Sequence, residues 1–173
     1  MCEQTEMRRA SAVDIPIIRG MADIVFRETY AGILSPAQME YMMDWMYSAA
    51  SMEDQILPDG KAFYIAERGG LPCGYVSFEY ERRMEDGRNL YHLQKLYVLP
   101  EYQHAGVGSA MLDFVFRHLS ALHPEGCRVE LNVNRHNPAV GFYEKMGLTC
   151  DRQGDFAIGE GFYMNDYIYA RDL

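Results

Sequence analysis

Hydrophobic and polar residues follow two different periods along this chain. Alternation every second residue predicts strands, which fall at residues 5–10, 61–68, 73–81, 90–99, 127–133 and, as a pair, within 156–169. Recurrence every three or four residues predicts helices, which fall at residues 14–27, from 35 onward, and at 51–57, 107–122 and 137–145. This order of elements predicts an α/β domain in which one mixed sheet carries helices on both faces.

Cap residues mark several of the predicted helix ends. Ser35 precedes Pro36 and Gln38 in the pattern of a capping box, and Ser51 precedes the next, shorter helix. Gly147 stands where a C-terminal cap glycine belongs. No repeat, low-complexity segment or linker interrupts the pattern, so we expect one domain with one sizeable core.

A glycine-containing turn joins an apolar strand to an amphipathic helix. The strand ends at Pro100, and Gln103, Gly106 and Gly108 precede the helix. The first N–H groups of a helix lack internal partners and carry partial positive charge, and glycine lets an anion approach the backbone. The spacing matches neither the nucleoside-triphosphate loop nor the dinucleotide fingerprint. The turn therefore predicts an anion site of another kind, with an ordinary tight turn as the alternative.

Composition and charge narrow the class of protein. The 173 residues carry a formal net charge of −9, which disfavours nucleic acid as a partner and is compatible both with a cationic substrate and with solubility alone. No apolar run is long enough to span a bilayer, and the N-terminus lacks the apolar core of a signal peptide. We therefore expect a cytoplasmic protein that does not bind membranes.

The four cysteines are far apart and form no Cys-x-x-Cys pair; they are Cys2, Cys73, Cys127 and Cys150. This spacing argues against a zinc site, so we expect no metal and mostly buried, free thiols.

The stretch LQKLYVLPEYQHAGVGSAML resembles the acetyl-coenzyme-A-binding motif of the GNAT superfamily of N-acetyltransferases, which reads [QR]-x-x-G-x-[GA] after a V-x-P strand end. The resemblance implies acetyl-coenzyme A as the cofactor. It implies that the pyrophosphate lies on the turn residues Gln103, His104, Ala105, Gly106, Val107, Gly108 and Ser109. It also implies that the pantetheine arm pairs with the strand backbone at Leu96, Tyr97 and Val98.

A second stretch, LNVNRHNPAVGFYEKMGL, resembles the later GNAT motif N-x-x-A-x-x-[FL]-Y-x-[KR]-x-G-[FL]. The positions that match are Ala139, Phe142, Tyr143, Lys145, Gly147 and Leu148. His136 stands where the family has asparagine. The resemblance therefore implies that Asn137, one position later, contacts the cofactor. Tyr143 matches the family's general acid, and a tyrosine with a pKa near ~10 can reprotonate a thiolate whose parent pKa is roughly 8.5.

The general base is sought on the strand before the glycine turn. A period of two places His92, Gln94, Leu96 and Val98 on one face. His92 has a reference pKa near ~6.5, which suits a base at neutral pH, and related enzymes place histidine or glutamate on this strand. Glu79 on the neighbouring strand and a water molecule remain the alternatives.

The resemblance covers most of the chain and implies a single GNAT domain over residues 1–173, with a central, mostly antiparallel sheet of six or seven strands. The run FRETYAGILSPAQMEYMMDWMY also resembles the bacterial polyamine (spermidine/spermine) N-acetyltransferase branch, the PaiA type. We therefore expect direct transfer of acetyl to a small primary amine, with a polyamine as the first candidate. The alternatives are acetylation of protein or peptide N-termini and a non-catalytic sensor of acyl-coenzyme A.

The sequence leaves the oligomeric state open. A homodimer is one alternative, because the final strands are rich in tyrosines that can pair across an interface, namely Tyr163, Tyr167 and Tyr169.

Overall fold

The computed structural model describes residues 3–56 and 61–173 of the protein. The strands in these residues are β1 (Glu6–Arg9), β2 (Lys61–Arg68), β3 (Leu71–Arg83), β4 (Asn89–Val98), β5 (Cys127–Asn134), β6 (Thr149–Gly159) and β7 (Phe162–Asp172). The helices are α1 (Ile15–Tyr30), α2 (Pro36–Tyr47), α3 (Ala49–Ile56), α4 (Val107–Leu122) and α5 (Val140–Lys145). In these residues no helix is long and apolar enough to cross a membrane.

All seven strands join one sheet in the order β1-β2-β3-β4-β5-β7-β6. Every neighbouring pair is antiparallel except β4 and β5, which are parallel. The predicted mixed, mostly antiparallel sheet is therefore confirmed, with seven strands. The final strands begin before and end after the predicted range 156–169. The prediction missed the start of β6 because this strand is almost entirely exposed and its polar residues show no alternation. Its backbone pairing with β7 holds it in the sheet.

Helices cover both faces of the sheet, as predicted, but the expected single core is divided into two apolar clusters, one on each face. On the face that we call the α4 face, the sheet packs on α4 through residues that include Phe78, Leu131, Met111 and Leu119. On the opposite face, the α1–α3 face, the core includes Phe26, Met52, Phe63 and Tyr75. Tyr169 is buried on the α4 face and donates to Glu144 Oε1 at 2.8 Å, so it is not available for the dimer interface considered above.

Three helix boundaries differ from the sequence prediction, and one of them is the start of α5, which begins at Val140 and not at residue 137. Helix α1 continues beyond the predicted residue 27 to Tyr30, which brings Tyr30 to the middle of the sheet. The third helix begins before Ser51, because Ser48 Oγ accepts from the Ser51 N–H at 3.3 Å and takes the cap position. The Ser35 cap is confirmed, with Oγ accepting from the Gln38 N–H at 3.1 Å.

A β-bulge in β4 changes which side chains share a face. Ser77 of β3 pairs with Lys95, whereas the next residue, Phe78, pairs with Leu93, so Gln94 is an extra residue in β4. The predicted common face of His92, Gln94, Leu96 and Val98 is therefore wrong. Leu96 and Val98 pack on the α4 face together with Leu93, while His92 pairs with Glu79 and lies on the α1–α3 face. The bulge interrupts the alternation on which the prediction was based.

Candidate active site

Strands β4 and β5 separate in the middle of the sheet. Their parallel pairing runs from Asn89 and Cys127 to Leu93 and Leu131 and then stops, although β4 continues to Val98. Beyond Leu93, the edge of β4 that faces the gap therefore has no strand partner. Backbone N–H and C=O groups away from water need partners. An extended ligand that carries amide groups can pair with this edge as an additional strand does.

A cavity of about 500 Å³ fills the gap and reaches both faces of the sheet. This volume lies in the usual range for small-molecule sites. The wall is formed by residues 28–30, 93–98, 102–104, 106–109, 131–133, 137–139, 142 and 143. Every residue predicted to bind the cofactor lies in this wall except Ala105, which is part of the same turn. Tyr143 is also in the wall, whereas His92 and Glu79 are not.

The glycine turn has a backbone that favours anion binding. Gly106, at the N-cap of α4, has φ +82°, and His104 has φ +59°. Residues with a side chain rarely adopt this left-handed region, so glycine suits the cap position. A Cβ added at Gly108 would lie 3.4 Å from Phe142 Cζ, so a larger side chain would crowd the wall of the cavity. The turn therefore fits a phosphate group held by backbone N–H groups at a helix start.

Two side chains hold this turn in place. Gln103 Nε2 donates to the Val98 carbonyl at 3.1 Å and ties the turn to the end of β4. Arg68, at the end of β2, donates through Nη2 to the Ala105 carbonyl and brings a positive charge beside the turn. No local motif marks Arg68, because sheet pairing and not sequence proximity brings it here.

Tyr143 projects from the short helix α5 and is 8% exposed. Burial, and to a lesser degree the neighbouring Tyr30 hydroxyl, raises the pKa of Tyr143 well above its usual value. The hydroxyl therefore carries its proton at neutral pH. A protonated hydroxyl in the wall of the cavity can donate a hydrogen bond or a proton to a leaving group.

A group of buried tyrosines adjoins Tyr143 on the α1–α3 face. The hydroxyl oxygens of Tyr30 and Tyr97 are 3.5 Å apart, and those of Tyr47 and Tyr75 are 2.8 Å apart. Burial is the main cause that raises the pKa of all four hydroxyls. Tyr30 is not among the site residues predicted from the sequence, because the predicted first helix ends before it.

The two side chains considered as a general base are held outside the cavity wall. His92 Nδ1 lies 3.4 Å from Glu81 Oε2. Glu79 accepts from Gln94 Nε2 at 2.8 Å and lies 3.8 Å from Lys61 Nζ. This arrangement lends no support to a base at either position.

Lys95 is a buried cation in β4. Its ammonium donates to Gln55 Oε1 and lies 5.5 Å from the centre of the Tyr47 ring. Burial lowers the pKa of Lys95 to about 8, Glu79 opposes that shift, and Lys61 adds to it. The ammonium thus points toward α2 and α3.

The chain matches the family described as acetyltransferase (GNAT) domain over residues 59–148, just over half of its length. The protein therefore belongs to the GNAT acetyltransferase family. It is an N-acetyltransferase that depends on acetyl-coenzyme A, so the predicted enzyme class and cofactor are confirmed.

Individual relatives agree with this assignment. The chain is 29% identical over 150 residues to a probable N-acetyltransferase of Mycobacterium tuberculosis, covering 84% of this chain and 80% of that protein. The fold is similar to that of PaiA N-acetyltransferase from Thermoplasma acidophilum in complex with coenzyme A, with a TM-score of 0.79, 22% identity, and 98% and 99% of the two chains covered. It is also similar to Arabidopsis thaliana NAA60 in complex with a bisubstrate analogue, with a TM-score of 0.73, 18% identity and 98% of each chain covered.

Proposed function

We propose that this enzyme transfers acetyl directly from acetyl-coenzyme A to a small primary amine. The observation that carries the proposal is the cavity in the gap between β4 and β5, whose wall has the glycine turn on one side and Glu28 and Tyr30 on the other. Two substrates can enter such a cavity from opposite faces and meet beside Tyr143. None of the described cysteines, Cys73, Cys127 and Cys150, lines it, which supports direct transfer without an acetyl-enzyme.

At the donor end, the chain supplies a backbone cradle. When bound, acetyl-coenzyme A supplies the acetyl group as a thioester. The N–H groups at the start of α4 hold its pyrophosphate, and Arg68 adds a positive charge beside them. The free edge of β4 from Leu96 to Val98 pairs with the amides of the arm, and Asn137 borders the same space. The Val98 N–H is our candidate donor to the acetyl oxygen, where negative charge develops.

Proton transfer is divided between Tyr143 and water. Tyr143 keeps its proton at neutral pH and gives it to the departing sulfur. An alkylammonium has a pKa near ~10.4, so the acceptor must lose a proton before it attacks. Because neither His92 nor Glu79 lines the cavity, we propose that water in the cleft accepts this proton.

Charge and the shape of the cleft support a small cationic acceptor, with a polyamine as the first candidate. The net charge of −9 favours cations in general, and Glu28 lies in the wall at the acceptor end. Helix α2 is tied to the β6–β7 hairpin, because Gln38 Nε2 donates to the Tyr163 carbonyl and Tyr41 donates to the Ile158 carbonyl, both at 2.8 Å. These bonds restrict the space that a peptide chain needs.

Acetylation of peptide N-termini is the second candidate, since the fold is also similar to that of NAA60. Incubation of the purified protein with acetyl-coenzyme A and either spermidine, propylamine or a short peptide separates the two, with acetylated products identified by mass spectrometry. We expect the amines to be acetylated. Transfer to the peptide alone would contradict the small-amine proposal.

A further inference from the structure

A buried carboxylate lies directly behind the acceptor end of the cavity. Asp166 of β7 is 4% exposed, and its Oδ1 atom is buried with no hydrogen-bond partner among the described residues. Its other oxygen, Oδ2, accepts from Asn132 Nδ2 at 3.3 Å. Leaving a buried polar atom unpaired is costly for the fold. Such a group therefore calls for an explanation beyond packing.

Asn132 connects this carboxylate to the cavity. It is the first residue of β5 after the last β4–β5 pair, so it faces the gap where β4 has no partner. Asn132 is exposed and forms part of the cavity wall, although both of its sequence neighbours are buried. Its Nδ2 is engaged by Asp166, and its Oδ1 has no partner among the described side chains. The carbonyl oxygen of the amide is therefore left for a ligand in the cleft.

The carboxylate decides which way the amide points. An ionised carboxylate only accepts hydrogen bonds, so the NH₂ side of Asn132 must face Asp166 and the oxygen must face away from it. An attacking amine has its lone pair directed at the acetyl carbon and its N–H bonds directed elsewhere. One accepting oxygen beside the free edge of β4 can hold such an N–H bond in the orientation for attack.

Burial and two neighbouring groups set the pKa of Asp166. Burial raises the pKa of Asp166, while the Asn132 hydrogen bond and the more distant charge of Arg135 lower it. On α1, the charge of Asp166 raises the pKa of Tyr30, where burial is the larger cause. Tyr30 also lines the acceptor end of the cavity, so Asp166 lies close to the place that a ligand would occupy there.

We propose that Asn132 is the residue that holds the acceptor amine, through its side-chain carbonyl oxygen, and that Asp166 is the positioning residue that fixes this amide. The assignment rests on the proposed transfer to an amine and adds the residues that orient it. It also favours acceptors with at least two N–H bonds, because one N–H bond is held by Asn132 while another proton leaves.

The test compares D166N, the double variant N132D/D166N and the control D172N. D166N is isosteric, but its amide no longer forces the Asn132 oxygen into the cleft. In the double variant, the carboxylate introduced by N132D accepts from the amide introduced by D166N and again presents an oxygen to the cleft. D172N removes a carboxylate from the same strand at an exposed position.

Initial rates are measured with spermidine and propylamine, together with the affinity for acetyl-coenzyme A and the melting temperature. For D166N we expect kcat/KM for the amine to fall about 10- to 100-fold, the loss expected for one oriented hydrogen bond, with acetyl-coenzyme A affinity unchanged. We expect kcat/KM of N132D/D166N to be at least about fivefold higher than that of D166N, and kcat/KM of D172N to match that of the wild type. A purely structural role for Asp166 would instead lower the melting temperature of D166N and reduce its acetyl-coenzyme A affinity and turnover together.

Three results would overturn the inference. They are a D166N enzyme with wild-type amine kinetics, a D166N enzyme that loses acetyl-coenzyme A affinity in parallel with turnover, and a double variant that shows no recovery. Failure of the proposed function has a different signature, because the wild type itself would then transfer acetyl to neither amine.

Discussion

Replacement of Tyr143 by phenylalanine isolates one oxygen atom in the wall of the cavity. The ring remains packed between α5 and the sheet, and the hydroxyl has no hydrogen-bond partner among the described residues. Loss of this oxygen should change the free energy of unfolding by less than about 1 kcal/mol. Binding of acetyl-coenzyme A should also be preserved, because the glycine turn and the β4 edge are untouched.

The chemical step should slow by a factor of about 10²–10⁴, the usual contribution of a positioned general acid. Without the Tyr143 proton, the leaving sulfur would depart as a thiolate in a buried site. The assay is a single-turnover reaction by rapid quench with spermidine, since slow product release can hide a change in the chemical step.

Tyr169→Phe is the matched control for this prediction. Tyr169 is equally buried but lies outside the cavity wall, and it donates to Glu144 Oε1 at 2.8 Å. Its replacement should lower the free energy of unfolding by about 1–2 kcal/mol and leave the chemical step unchanged. If Y143F transfers acetyl within about threefold of the wild-type rate, or no more slowly than Y169F, Tyr143 is not the acid.

Three further predictions test the turn and two buried charges. Gly106→Val should weaken acetyl-coenzyme A binding at least about tenfold by calorimetry, because a β-branched residue is strained at φ +82°. The control Gly87→Val is strained in the same way at φ +87° but lies far from the cavity, so it should not weaken this binding. Asp14→Asn should lower the free energy of unfolding by about 1–3 kcal/mol at pH 7, because Arg8 holds the pKa of Asp14 below its usual value. In denaturant titrations, the stability difference between the variant and the wild type should vanish as the pH falls through the lowered pKa of Asp14. The pKa of Lys95 is ~10.4 in the unfolded chain and about 8 in the folded protein, so Lys95→Met should gain stability relative to the wild type as the pH falls between these values. Below about pH 8 the stability difference should stay constant, and a difference that does not change with pH at all would contradict the burial of the ammonium.

The parts of the site that depend on neighbouring residues in sequence were predictable. The strand, glycine turn and helix around Gly106 are encoded within about 20 residues by local period and turn chemistry. Tyr143 follows from a second local motif on α5. Such features keep their geometry wherever the sheet places them, which is why the residues predicted to bind the cofactor lie together along one cavity.

The parts that depend on pairing between distant segments were not predictable. The bulge at Gln94 is set by the register with β3, and it moves His92 to the opposite face from Leu96. Asn132 and Asp166 are 34 positions apart and meet only because β5 pairs with β7. An isolated Asp on a strand carries no signal of burial, so the acceptor end required the assembled sheet.

The measurement that tests the central claim most directly is amine-dependent release of free coenzyme A thiol by the purified protein, with the acetylated amine identified by mass spectrometry. We predict one acetyl group on the amine for each thiol released with spermidine or propylamine, and no thiol release above background without an acceptor. Binding of acetyl-coenzyme A with no acetylated product from any amine or peptide would contradict the account and indicate a cofactor-sensing domain.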